Sequence, residues 1–434
     1  MDKYIRINIK VLIIFLLIMV NFLPGNTKKG NSISYLQNYL RIASENNPGL
    51  KAAFYEWKAE LERVLQVKSL PDPNFNFAYF ISEVETKVGA QRMKVGLMQK
   101  FPWFGKLKLK GKIAFERSQA LKNSFEKLKT EIFYKVKKLY YDYYFASKSI
   151  EILKENLLLM NSVSKQIRTS YSTGTASYLN LIRIQIELEK LFDRIKSLGN
   201  KLPSIRVALN LILDRPITEE ININSNINEI GFNLDSSKLL NQLRIHNPEL
   251  KQIDHLAKSN KANVKLKKKN YYPDISIGAD YIFTDDSIVP GIIDSGKDPF
   301  LLKVGLNLPL RLKKINSSIR EAKLKLEAIK YKRADKENKL ISDLETTLFH
   351  FNDSIRIVNL YKDSLIPKAK QAFEVLKAAF STGKVSFIDF VDIQRTLLDF
   401  ELLLERSKTK SYQSLALIER LTGTKIKNIN NGIN

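Results

Sequence analysis

Tyr171-Ser172-Thr173-Gly174-Thr175-Ala176-Ser177-Tyr178 is answered, about 209 residues later, by Phe380-Ser381-Thr382-Gly383-Lys384-Val385-Ser386-Phe387. The register holds beyond both stretches, with Ile184 matching Ile393 and Gln185 matching Gln394. Upstream, Asn47-Pro48 recurs as Asn247-Pro248, Pro71-Asp72 as Pro273-Asp274, and Val95-Gly96-Leu97 as Val304-Gly305-Leu306. Solenoid units run only about 20–50 residues, so this period marks a duplicated half: whatever one half builds, the chain builds twice.

Each Thr-Gly pair interrupts a long helical pattern. Ile150, Leu153, Leu157 and Met160 recur at coiled-coil spacing before the first pair, and Leu344, Leu348, Phe351, Ile355 and Val358 do so before the second. We read a first repeat over 33–215, with a long helix over 105–173 and a return helix over 177–213. A linker follows over 216–234. The second repeat covers 235–425, with helices over 313–381 and 385–421, and 426–434 is a tail. Pro367 should kink the second long helix, because proline removes a backbone donor. Ahead of each long helix, apolar and polar residues alternate. Phe75, Phe77, Tyr79 and Ile81 are followed by Met93, Val95 and Leu97; Ile275, Ile277, Tyr281 and Phe283 are followed by Phe300, Leu302, Val304 and Leu306. This period of two predicts strands over 74–82, 91–101, 274–284 and 299–309, each with one apolar face.

The composition excludes several classes. Among 434 residues there is no cysteine, hence no disulfide or thiolate metal site, and only three histidines. His246, His255 and His350 stand far apart, so we expect no metal centre. No nucleotide-binding glycine loop, zinc-protease or nucleophile-elbow pattern occurs; we expect neither catalytic residues nor a cofactor. The formal charge of +26 invites a nucleic-acid reading. However, residues 1–25, with Lys3, Arg6 and Lys10 before the apolar run Val11 to Val20, read as an export signal, and we expect no nucleic-acid partner.

Strands of about ten residues with one apolar face suit a membrane barrel. Four strands cannot close around a lumen, and an open edge in lipid leaves backbone groups unpaired. Several copies must therefore share a barrel, and three copies give twelve strands. Lys106 and Lys108 follow the second strand, and Lys267, Lys268 and Lys269 precede the third, beside Trp103, Phe104, Tyr271 and Tyr272. Together they predict a girdle at one membrane interface, facing lipid headgroups.

The ordered set resembles the TolC-type outer-membrane efflux proteins over roughly residues 33–425. It comprises the duplicated layout, the Asn-Pro pairs, Phe101-Pro102-Trp103-Phe104-Gly105-Lys106 and the two Thr-Gly turns. Val84-Glu85-Thr86-Lys87-Val88-Gly89, running into that segment, is most similar to members that accompany heavy-metal or cation exporters. The resemblance implies a mainly α fold with membrane β-hairpins: a homotrimeric twelve-stranded β-barrel in the outer membrane, joined to an α-helical coiled-coil barrel in the periplasm. It implies a passive duct, not an enzyme, for small molecules or metal cations, with a periplasmic adaptor (membrane fusion) protein and an inner-membrane pump as partners. Thr173, Gly174, Thr382 and Gly383 would be the adaptor-docking turns. The family's closing acids correspond to Asp389 and Asp392. The first turn holds Asn180 and Arg183 at those places, and an Arg183–Asp392 contact would latch a closed state. Asp389 could instead simply cap its helix. The alternative is a periplasmic coiled-coil adaptor or other structural protein, which would share the helical hairpins.

Overall fold

The computed structural model describes residues 34–230 and 234–426. The export signal expected at 1–25 and the tail from 427 onward lie outside them. Among the described residues, helix α1 (Tyr35–Asn46) leads into α2 (Pro48–Lys68), then strands β1 (Asn74–Thr86) and β2 (Gly89–Phe101). Next come α3 (Lys106–Ser172) and its return helix α4 (Tyr178–Leu213). The order then recurs: α5 (Ser236–His246), α6 (Pro248–Lys268), β3 (Asp274–Thr284), β4 (Phe300–Asn307), α7 (Leu312–Leu360), α8 (Ile366–Ser381) and α9 (Phe387–Thr422).

Local chemistry sets these boundaries. Proline at the first turn of α2 and of α6 costs no hydrogen bond. The asparagine before each caps it: Asn47 accepts from the Leu50 N–H, and Asn247 from those of Glu249 and Leu250. The Asn47 amide also donates to Ile212 O, and the Asn247 amide to Leu421 O. Each Asn-Pro step thus pins a short helix to the end of a return helix. At the far tip, α3 and α8 both close with a left-handed glycine, Gly174 (φ 75°) and Gly383 (φ 72°). The N–H of Thr175 reaches Ser170 O and that of Gly174 reaches Tyr171 O; Lys384 and Gly383 repeat the pattern on Ala379 and Phe380. These are two Schellman closures, which satisfy carbonyls a helix end would otherwise orphan.

At Pro367, where a kink is expected, the long helix is interrupted. A single π turn, Tyr361–Leu365, separates α7 from α8 and ends just before it, so the missing donor falls at a new helix start. Pro203, in contrast, is carried inside a continuous α4.

The strands form one antiparallel sheet in the order β1-β2-β3-β4. β1 extends past the expected 82 to Thr86, so the polar stretch around Glu83 and Glu85 is strand and a tight turn follows at Lys87-Val88. The pairing shifts between Tyr79 and Val84, an irregularity that alternation could not show. Neither outer edge, β1 nor β4, is paired among the described residues. Near the sheet the helices lie in a row, with α3 between α2 and α6, and α6 against α7. Three apolar cores hold the helical part. Leu153, Met160, Ile184, Phe373 and Phe390 form one near the tip, and Tyr39, Val136, Tyr140 and Leu213 form a second at mid-length. Leu243, Leu344, Phe351 and Ile418 form its counterpart in the other half.

Candidate functional site

Three places carry the chemistry: the two faces of the sheet, the junction where strands meet helices, and the helical tip. On one sheet face Phe75, Phe77, Ile81, Leu302 and Val304 are all at least 60% exposed, an apolar patch far beyond what a water-soluble surface tolerates. The opposite face is polar, and its centre is Asp280. The carboxylate lies 3.0 Å from Lys94 Nζ on β2 and 2.5 Å from Lys303 Nζ on β4, and only 2% of the residue is exposed. The register faces Asp280 with Gly96, where a Cβ would lie 2.3 Å from Asp280 Oδ1. Glycine is there because the carboxylate needs the space. Lys94, Asp280 and Lys303 each sit at polar positions of the alternating pattern, but only the strand register shows that they form one triad.

At the junction, Asp274 ties the two halves together. It accepts from the Trp103 N–H and from Lys106 Nζ (2.7 Å), with Lys100 Nζ at 3.4 Å. Trp103 stacks on Tyr272 with centroids 5.2 Å apart. The expected girdle therefore divides. Lys106 is 8% exposed and spent in a buried ion pair on the polar side of the sheet, so it cannot reach headgroups. Lys108, two residues on, points about 200° away around the helix. It lines a cleft of about 1400 Å³ with Lys268, Lys269, Tyr271 and Tyr272. Lys267 faces a different groove, with Asn307, Arg311 and Lys314. Phe104 is 78% exposed.

The loop acids at the far end of the strands are largely engaged. Arg92 pairs with both Glu83 and Asp285, Asp294 pairs with Lys297, and Asp298 accepts from Tyr281 OH and the Thr284 N–H. Among the described residues no group of three or more His, Cys, Asp or Glu could hold a metal ion, and no helix is long and apolar enough to cross a membrane. His255 is bound to Glu116 at 2.8 Å. The tyrosine run of α3 does structural work: Tyr140 OH accepts from the Asn224 N–H, and Tyr144 OH donates to Glu405. With Tyr39 and Tyr412 bonded to Asn222 and Asn228, these tyrosines hold down the segment joining the halves.

At the tip, Ser177 and Ser386 cap the return helices. Asp389 is held at this cap: its N–H donates to Ser386 Oγ (3.2 Å) and Ser386 Oγ donates to its carboxylate (2.7 Å). The expected Arg183–Asp392 latch is not made. Arg183 and Asp392 line one groove, but Asp392 faces Arg395 at 3.7 Å, while Arg395 grips Glu187 through two nitrogens, one at 2.9 Å. This pair ties α4 to α9. The Arg395 guanidinium holds the Glu187 carboxyl below the usual carboxylate range, with Lys190 assisting. The Asp392 side chain stays 70% exposed.

Comparison with known proteins bears on this arrangement. Residues 239–424 match the family model described as outer membrane efflux protein. No curated protein sequence matches the chain. In fold it is similar to the outer-membrane channel OprN, with a TM-score of 0.76 over 90% of each chain at 14% identity. It is also similar to VceC, an outer membrane protein of Vibrio cholerae, with a TM-score of 0.73 at 13% identity over 90% of this chain and 97% of that one. The Campylobacter jejuni CmeC outer membrane channel gives a TM-score of 0.74 at 14% identity, covering 91% and 87%. The chain thus has the fold of the TolC-type outer-membrane channels. Its second half also matches the outer membrane efflux proteins in sequence.

Proposed function

We propose that the chain is the outer-membrane channel of a tripartite efflux system, a passive duct and not an enzyme. One observation carries the reading: a four-stranded sheet with a largely exposed apolar face and, among the described residues, two unpaired edges. In water that surface would aggregate; in lipid its face is satisfied and its edges require partners. Three copies supply them, making a twelve-stranded barrel lined by the Lys94–Asp280–Lys303 face. The duplicated halves then each contribute one hairpin to the barrel and one helical hairpin to a periplasmic tunnel. A 67-residue α3 reaches about 100 Å from the membrane. The exposed Thr173-Gly174 and Thr382-Gly383 turns are the surfaces we assign to a periplasmic adaptor, itself coupled to an inner-membrane pump. We assign Asp389, Asp392, Asn180 and Arg183 to the constriction, with Arg183 and Asp392 lining one groove. Small molecules or metal cations are the proposed cargo. Purified protein added to planar bilayers should give discrete conductance steps. Protein that inserts but never conducts would contradict the duct.

A further inference from the structure

We propose that the junction cleft between α3, α6 and α7 is a binding site for an anionic phospholipid headgroup. This rests on the membrane placement proposed above. Nine Lys or Arg side chains line the cleft, among them Lys112 on α3, Lys261 and Lys265 on α6, and Arg320 on α7, against the single carboxylate of Glu116. That carboxylate is already held by His255. Many lysines and arginines elsewhere enter ion pairs, yet among the described residues none of these nine does. So many unpaired like charges around one concavity raise the local positive potential and draw an anion into it. All three helices that line the cleft belong to one chain.

Its position selects the anion. On α3 the two lysines of the cleft, Lys108 and Lys112, leave the helix about 200° and 240° around from Lys106, which joins Asp274 on the polar face of the sheet. The cleft therefore opens on the side of the exposed apolar strands, outside the lumen. Its upper end carries Tyr271 and Tyr272, with Trp103 stacked on Tyr272, the residue types that sit at a membrane–water boundary. A phosphate held there leaves its acyl chains free to lie along Phe101, Ile275 and Ile277 on the strands above. From Lys258 to Lys269 the basic wall runs about 16 Å along α6, longer than one phosphate needs. A lipid carrying two phosphates should therefore bind more tightly than one carrying a single phosphate.

The test is native mass spectrometry of the full chain in detergent, titrated with diphosphatidylglycerol, phosphatidylglycerol and phosphatidylethanolamine. Retention should fall in that order. The Lys112→Gln/Lys261→Gln/Lys265→Gln/Arg320→Gln variant should lose at least about tenfold in retention of the first. Lys267→Gln with Lys314→Gln, in the other groove, should change it little. Raising salt from about 0.05 to 0.5 M should erase the preference in the parent protein, a readout that needs no variant to fold. Equal retention of phosphatidylethanolamine, or an unchanged quadruple variant, would overturn the site. Displacement by glycerol phosphate as effective as that by the whole lipid would make it a soluble-anion site and overturn the lipid assignment. A protein that conducts without any anionic preference refutes this inference alone; one that never enters membranes refutes the channel reading beneath it.

Discussion

Gly96 and Asp280 show why single positions matter in this sheet. The carboxylate is buried between two lysines on neighbouring strands, in space that a side chain at position 96 would occupy. Gly96→Ala should lower stability by about 1–3 kcal/mol, since overpacking and a displaced buried charge both cost. Denaturant midpoints in detergent should show it, and Asp280→Asn with Gly96→Ala should be far less than additive. A second residue-scale expectation concerns Glu187, whose carboxyl faces Arg395 and Lys190, with Asp392 beyond Arg395. Its folded pKa is depressed, so the Arg395 pair stabilises the tip above the ordinary carboxylate value and is lost as pH falls through the depressed one. Tip opening followed by hydrogen exchange should therefore rise below about pH 4.5 in the parent, and Glu187→Gln should flatten that dependence. The polar strand positions were legible in the sequence. Their partners were not, because pairing depends on register, and Glu187 carried no signal without the packing of α4 on α9.

Caps and turns decide the elements. Asn247→Ala removes a cap from α6 and the amide bond to Leu421 O together, and should cost about 1–3 kcal/mol. Asn247→Asp should restore the cap but not the amide bond, which thermal unfolding by circular dichroism would separate. The two tip acids should likewise part company. Asp389 is bound to the capping hydroxyl of Ser386, so Asp389→Ala should weaken the start of α9. The exposed Asp392 should control block by divalent cations in bilayer recordings. Equal effects on block would contradict this division. The Thr-Gly turns, the Asn-Pro steps and the helical and strand periods were readable because each is set by local backbone chemistry. The sequence misplaced Lys106 and Lys267 in one girdle with Lys108. Proximity along the chain says nothing about which side of a helix a lysine leaves from, and Asp274 claims Lys106 from a strand some 170 residues away.

At the scale of the whole molecule, the mainly helical fold with a small antiparallel sheet followed from two periods, 2 for the strands and about 3.5 for the helices. The proposal of several copies rests on the strand edges left unpaired among the described residues, whereas the adaptor, the pump and the position of the constriction rest on family resemblance. The central claim is that this sheet is a fraction of a barrel completed by other copies in a membrane. Mass measurement of the protein extracted from membranes in mild detergent tests it most directly. The expected result is a single species at three times the chain mass, absent without detergent. A monodisperse monomer in detergent-free buffer, with the apolar strand face exposed to water, would contradict it.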